Sequence, residues 1–273
     1  MKRAGCSAAV VIFLSLLIIG GCGDGEKEKR ADEEFRVPDS LLVDKEQFEL
    51  VEDSYHPVKG GDIGNEDILV HYPPTAMYEY ISGKMFKIAY NSYKEIEDKI
   101  GRPAEGRITC IGTKSMDEYK LLTRKDWWYY GTIRGDTIYF EPYDVMLKRY
   151  DRTSKQNIAQ MGFRQRFAQM ALDRLSKGRI PTWLKESMAS YYANEGAVLK
   201  AQAAQWRDEY FDFRVSEDEL NNYLEEAQEI ALTRVSYYIA YQMLENLMEL
   251  SSEEQILGFV EKLGEGYSLD EAS

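Results

Sequence analysis

The pattern of apolar residues changes at Pro142, and this change limits the folds open to the chain more than any other feature. Before it, β-branched and aromatic runs such as "ILVHY", "RITCIGT" and "WWYYGTIRGDTIYFEP" lie between turn residues. Such runs are typical of strands, and Gly135-Asp136 marks the turn of a hairpin. After Pro142 the apolar spacing is helical for the rest of the chain. The sequence therefore predicts an α+β fold, with a small mixed β-sheet and a helix over residues 67–142 and a mainly helical half over residues 143–273.

Spacing and capping residues predict where individual elements begin and end. The first strand of this domain is predicted over residues 68–72, before two prolines. The predicted helices share apolar residues at steps of three and four. Three of them cover residues 75–100, 150–176 and 183–194. A fourth begins at the capping box Ser216-Glu217-Asp218-Glu219, and a fifth, also capped, ends at Gly264.

The first 21 residues have the composition of a secretory signal peptide. Lys2 and Arg3 precede an apolar run, residues 8–19, that is shorter than the roughly 20 residues a membrane-spanning helix needs. The string "IGGC" resembles a bacterial lipobox, which implies a lipid on Cys22 and attachment to a membrane through acyl chains. An ordinary signal peptide with an unmodified cysteine is the alternative. Residues 22–44, rich in charge, are predicted to be a flexible tether, and residues 45–66 a linker or an extra strand.

Charge and cysteine content narrow the classes of partner and of fold. The chain has 34 basic and 47 acidic residues, a net charge of −13. Without residues 1–21, which contain two basic residues, 32 basic against 47 acidic residues leave −15. Such a charge repels phosphate backbones, so we expect no nucleic-acid partner. With a lipid on Cys22, Cys110 has no disulfide partner, and we expect it as a small buried side chain in a hydrophobic core.

Several strings resemble the gluzincin metallopeptidases, and among them the bacterial peptidase MA-like domains. "ILVHYPP", a long helix and "KIGRP" are similar to the opening of that domain. "WWYYGTIRGDTIYFEP" resembles the strand pair at the substrate side of its active site, and "KGRIPTWLKESMASYY" the segment that carries its third zinc ligand. "VSYYIAYQMLENLMEL" is similar to its late helices. The resemblance extends from Asp67 over the rest of the chain and implies a thermolysin-like fold.

The zinc site that this resemblance implies has lost most of its groups. In the family, the two histidines of an HExxH helix and a glutamate of the next helix bind zinc, while the HExxH glutamate activates the metal-bound water. Aligned on "PTWL", this chain has Gln165 and Gln169 at the histidine positions and Arg166 at the catalytic glutamate. Only Glu186, at the third-ligand position, is retained, and both histidines of the chain lie before residue 72.

We therefore expect neither zinc nor any other cofactor. Amide oxygens are poor zinc ligands, and the permanent charge of Arg166 disfavours a cation beside it. Arg166 or Arg164 is expected to pair with Glu186 and to fill the space of the metal. An oxygen-ligand metal site made by Glu186 and Asp173 is the alternative.

Four aromatic residues are candidates for the lining of a cleft. Trp128 and Tyr130 belong to the aromatic hairpin, and Tyr237 and Tyr241 stand where the late helix of the family faces the active site. For Trp128 and Tyr130 a place over the core is the commoner role of such hairpin strands, and Tyr237 and Tyr241 can equally be core residues.

These features predict a lipid-anchored, extracytoplasmic protein of the bacterial cell envelope, on the periplasmic face of the inner or outer membrane or at the cell surface. Its domain is expected to be a non-catalytic peptidase homologue that binds a peptide or an envelope protein, or that serves as a scaffold. The alternative is an active metal-dependent peptidase with a non-standard ligand set including Glu186. No Gly-x-Ser-x-Gly string or cysteine–histidine pair supports other hydrolase chemistry.

Overall fold

A small mixed sheet followed by helices makes up the described part of the chain, which confirms the predicted α+β class. The computed structural model describes residues 56–58, 62–72, 78–123, 130–151, 156–205, 215–226 and 230–272. The predicted signal peptide and tether, residues 1–44, and the candidate Trp128 lie outside the described residues. No helix within the described ranges is long and apolar enough to cross a membrane.

The sheet has six strands in the spatial order β1-β2-β3-β4-β6-β5. They run over His56–Val58 (β1), Asp62–Gly64 (β2), Ile68–His71 (β3), Ile108–Gly112 (β4), Thr132–Arg134 (β5) and Thr137–Phe140 (β6). The three central strands β3, β4 and β6 are parallel, and the outer strands pair antiparallel with their neighbours. The segment 45–66, predicted as a linker or an extra strand, supplies β1 and β2, so the sheet includes residues that precede Asp67.

Helices connect and cover the strands and then form the second half of the chain. They run over Tyr78–Lys99 (α1), Met116–Thr123 (α2), Tyr143–Lys148 (α3), Ile158–Ser176 (α4), Thr182–Tyr192 (α5), Gly196–Gln205 (α6), Glu217–Glu226 (α7), Ile230–Leu250 (α8), Glu253–Glu265 (α9) and Leu269–Ala272 (α10). The capping box that opens α7 forms as predicted, because Ser216 and Glu219 bond each other's backbone N–H groups.

The predicted helix over residues 150–176 begins later than expected. Tyr150–Asp151 (β7) and Gln156–Asn157 (β8) instead form a short antiparallel ladder. Asn157 then caps α4, since its side-chain oxygen accepts a hydrogen bond from the backbone N–H of Ala159 at 2.8 Å.

The helix predicted to end at Gly264 continues past it. Ser252 and Gln255 form the capping box of α9, and Gly266, at φ 108°, ends the helix in the left-handed conformation that glycine tolerates. Gly264 lies within the helix, where a Cβ atom would overlap the carbonyl oxygen of Leu175 on α4. This glycine therefore permits a close approach between two helices.

Helix α4 joins the sheet to the helical half. It contacts α1, α5 and α9 and is buried over most of its length. Phe163 packs against Phe140 of β6 with ring centroids 4.5 Å apart, and Phe167 meets Tyr93 of α1 edge-on at 5.8 Å. Cys110 on β4 lies in the same core, fully buried as expected, and its burial raises the pKa of its thiol.

Candidate ligand-binding cleft

The three residues at the HExxH-like positions lie on α4 and are buried. Gln165 and Gln169 stand one helical turn apart on one face, so their side chains converge. The guanidinium of Arg166 lies between them: its Nη2 donates to Gln165 Oε1 and its Nη1 to Gln169 Oε1, both at 2.7 Å. One planar cation therefore holds both amide carbonyls.

Glu186, on the neighbouring helix α5, receives the next hydrogen bonds. Its Oε2 accepts from Gln169 Nε2 at 2.6 Å and from the hydroxyl of Tyr237, on α8, at 3.1 Å. The side chain is 9% exposed. The carboxylate is thus satisfied by two neutral donors from two different helices.

The direct ion pair expected between Glu186 and an arginine does not form. The amide of Gln169 lies between Arg166 and Glu186, because both terminal nitrogens of the guanidinium are taken by glutamine carbonyls. Arg164 belongs to another face of α4, where its Nη2 lies 2.6 Å from a carboxylate oxygen of Glu95 on α1. Sequence alone indicated the right neighbours and the wrong partners.

A second carboxylate, Glu195, stands at the opposite end of this arrangement. It is 2% exposed, and its Oε2 accepts from Gln165 Nε2 at 3.1 Å. The chain of contacts Glu186–Gln169–Arg166–Gln165–Glu195 is called the Arg166 network below. Each glutamine directs its carbonyl at the cation and its NH2 group at a carboxylate, and a flipped amide would set donor against donor.

In the Arg166 network, the charges of the two buried carboxylates are balanced by a guanidinium that does not touch them directly. Two carboxylates share one guanidinium through neutral amides, and burial of either carboxylate without such donors would be costly. Arg234, on α8, brings a second cation to the same cleft. Burial lowers the pKa of Arg234, and the nearby phenol of Tyr130 opposes that shift.

A cavity of about 50 Å³ lies beside the network. Gln165, Arg166 and Glu195 line one side of it, and the rest of its lining is Tyr130, Leu199, Gln202, Arg234 and Tyr237. The lining therefore comes from helices α4, α6 and α8, from Glu195 and from Tyr130. The volume has room for about three or four water molecules.

Two of the four aromatic candidates line this cavity, namely Tyr130 and Tyr237. Tyr130 reaches it because Gly162 lets the chain pass close to α4, where a Cβ atom would lie 3.0 Å from Tyr130 Cβ. Tyr241 packs instead against Gly196, at the start of α6. Its burial, followed by nearby acidic groups such as Glu245, raises its pKa to about 12.

Sequence reasoning missed Glu195 and Arg234. Asn194, at φ 60°, ends α5 in the left-handed conformation, and this turn brings Glu195 back towards Gln165. The string "ANEG" carries a turn signal, since asparagine and glycine flank the glutamate. That signal marks a turn between two helices, but it does not say which side chain the turn buries.

The donors present do not fit a zinc ion. Glu186 supplies one carboxylate, and the two side chains at the histidine positions are amides bonded to a guanidinium. Asp173, the alternative oxygen ligand, pairs with Lys185 Nζ at 3.1 Å. Within the described ranges, no group of three or more His, Cys, Asp and Glu side chains is arranged to hold a metal ion.

No family model matches the chain, and no curated protein is significantly similar to it.

Proposed function

We propose that this chain is a lipid-anchored, extracytoplasmic protein whose metallopeptidase-like domain binds a peptide or protein without cleaving it. The observation that carries the proposal is the Arg166 network. Its hydrogen bonds hold the side chains at the two histidine positions and at the third-ligand position, which in a gluzincin would bind zinc.

The chemistry of the network opposes water activation. A general base must accept a proton, and a guanidinium stays protonated in proteins. Arg166 therefore cannot do the work of the glutamate that it replaces. The one carboxylate at a ligand position, Glu186, already accepts two hydrogen bonds at Oε2.

A gluzincin-like architecture is part of the proposal, and the convergence of three positions supports it. Gln169 Nε2 lies 2.6 Å from Glu186 Oε2, and a single guanidinium bridges Gln165 and Gln169. Ligands about 2.0–2.3 Å from one zinc ion must also lie within about 4 Å of each other. Gln169 of α4 and Glu186 of α5 lie within that distance, and Arg166 holds Gln165 beside them.

The sequence supports the cellular part of the proposal. "IGGC" resembles the signal for a lipid on Cys22, and residues 22–44 would then tether the domain to the membrane. We propose a place in the bacterial cell envelope, facing the periplasm or the exterior, with a peptide or envelope protein as partner and no nucleic acid.

Metal content and hydrolysis test the non-catalytic function together. The purified full chain, incubated with excess zinc and then dialysed, should retain no stoichiometric zinc, and unfolded casein should remain intact in its presence. One tightly held zinc per chain with chelator-sensitive cleavage would instead establish the alternative, an active peptidase with Glu186 among its ligands.

Blocking the cavity distinguishes a scaffold role from recognition through the cleft. A scaffold that merely inherits the fold would keep its partners when the cavity is blocked. Binding to envelope proteins that is lost in Gln202→Phe, a change on the cavity lining, would favour recognition through the cleft.

A further inference from the structure

We propose that the cavity beside the Arg166 network binds the carboxylate group of a peptide. The choice of a peptide rests on the proposed peptide-binding function. The cavity is lined by residues of α4, α6 and α8 together with Tyr130.

Arg166 supplies the observation that points to a ligand. Its Nη1 and Nη2 groups are bonded to glutamine carbonyls, whereas its Nε–H, which is buried, has no hydrogen-bond partner in the described part of the chain. The whole side chain is 7% exposed and lines the cavity. A buried N–H of a charged group without an acceptor is costly, and an acceptor bound beside Arg166 would remove that cost once it reached Nε.

The charge of the lining selects an anion. Two arginines, Arg166 and Arg234, face one glutamate, Glu195, whose Oε2 is already held by Gln165. The residues that line the cavity therefore carry one net positive charge, although the chain as a whole carries −13. Tyr130 and Gln202 add side chains that can donate neutral hydrogen bonds.

Size and charge select a carboxylate over a phosphate. A volume of about 50 Å³ has room for a group of a few heavy atoms and not for a whole amino acid. A phosphate group carries about −1.5 to −2 charges and would meet Glu195 at close range. A planar carboxylate with one charge suits guanidinium donors, and the remainder of its molecule must lie outside the cavity.

The bound carboxylate can come from a peptide or from a free small carboxylate. Calorimetry on the purified full chain distinguishes these two sources. Three ligands are titrated: a short unstructured peptide with a free C-terminus, the same peptide amidated, and acetate. We expect the acid peptide to bind about tenfold or more tighter than the amide, and acetate to compete with it.

Variants assign the binding to the cavity. Arg234→Gln and Gln202→Phe should each weaken the acid peptide about tenfold or more, because one removes a lining cation and the other fills space. Arg174→Gln is the matched control: it removes an arginine from α4 on the exposed side, where Arg174 reaches Glu105, and should bind as the wild type does. Equal melting temperatures exclude loss of fold.

Each remaining outcome decides between the two proposals. Equal binding of acid and amidated peptide, or no binding of any ligand at about 10 mM, would overturn the carboxylate site. If zinc and hydrolysis are absent in that case, the non-catalytic function still stands. Binding of acetate without binding of the acid peptide would reject the peptide as source and keep the carboxylate chemistry. Zinc-dependent cleavage would end the proposed function whatever the calorimetry shows.

Discussion

Arg166 decides the chemistry of the cleft through the number and direction of its donors. A glutamate at this position of α4 would offer acceptors to a metal-bound water, whereas a guanidinium offers only donors. Those donors draw two glutamine carbonyls inward, and the glutamine NH2 groups then turn to Glu186 and Glu195. One residue type thus sets the orientation of four others.

Removal of the guanidinium should therefore break the hydrogen bonds of the Arg166 network and destabilise the fold. Arg166→Leu leaves two buried carbonyls without donors and two buried carboxylates without their shared cation. We expect the free energy of unfolding, measured by urea titration, to fall by about 3–5 kcal/mol. Arg174 is an exposed arginine on the same helix, and Arg174→Leu should change the free energy of unfolding by less than about 1 kcal/mol. Similar losses for the two variants would mean that the network contributes no stability of its own.

Charge and hydrogen bonding at Glu186 can be separated by two substitutions. Glu186→Gln keeps an oxygen that can accept from Gln169 and Tyr237, so only the charge assistance is lost, about 1 kcal/mol. Glu186→Leu leaves both donors unsatisfied and should cost about 2–4 kcal/mol. Zinc content should stay at zero in both variants. Equal urea midpoints for the two would contradict a hydrogen-bonded role for this carboxylate.

The sequence predicted which residues meet at the cleft better than how they bond. Gln165, Gln169 and Glu186 follow from the resemblance and from helical spacing. The partner of Glu186 did not, because either arginine on α4 could be drawn towards it, and only the packed structure shows the intervening amide. Arg234 could not be predicted, since it lies far from α4 in sequence and no local pattern brings the two together.

At the scale of elements, the close approach of α9 to α4 depends on one glycine. Gly264→Ala would place a methyl group against the backbone oxygen of Leu175, where no side chain can move aside. We expect a loss of about 1–3 kcal/mol in the free energy of unfolding. Gly258→Ala, on the same helix with nothing within 4 Å of its Cβ position, should instead gain about 0.5–1 kcal/mol. Losses of the same size at both glycines would rule out the contact.

The two-residue strands β7 and β8 were not predicted, for a physical reason. A helix such as α1 repeats its apolar spacing over many residues, and the prediction of residues 75–100 lies close to Tyr78–Lys99. The ladder of β7 and β8 has two residues in each strand, so it has no period to detect. The cap at Asn157 was present in the sequence and was included in the predicted helix.

At the scale of the whole molecule, the lipid proposed on Cys22 would decide where the domain works. Expressed in a bacterium that processes lipoproteins, the wild-type chain should fractionate with membranes, and Cys22→Ser should not, because acyl chains supply the attachment. Cys6→Ser, within the predicted signal peptide, is the matched control and should leave the membrane fraction unchanged. Membrane association of Cys22→Ser equal to that of the wild type would exclude the anchor.

The net charge of the chain, −13, also matters at this scale. An anionic domain held beside an anionic membrane, as proposed, would gain solubility and little attraction to lipid headgroups. A cavity whose lining carries one net positive charge should concentrate anionic groups that the rest of the surface repels. The overall charge was readable from composition, whereas the position of Arg166 and Arg234 around one cavity required the fold.

The most direct test is the zinc content of a variant that introduces the gluzincin motif. Gln165→His, Arg166→Glu and Gln169→His together replace the centre of the Arg166 network with HExxH and leave Glu186 in place. Elemental analysis after dialysis should find about one zinc per chain in this triple variant and none in the wild type. One zinc in the wild type, or none in a folded triple variant, would contradict the account.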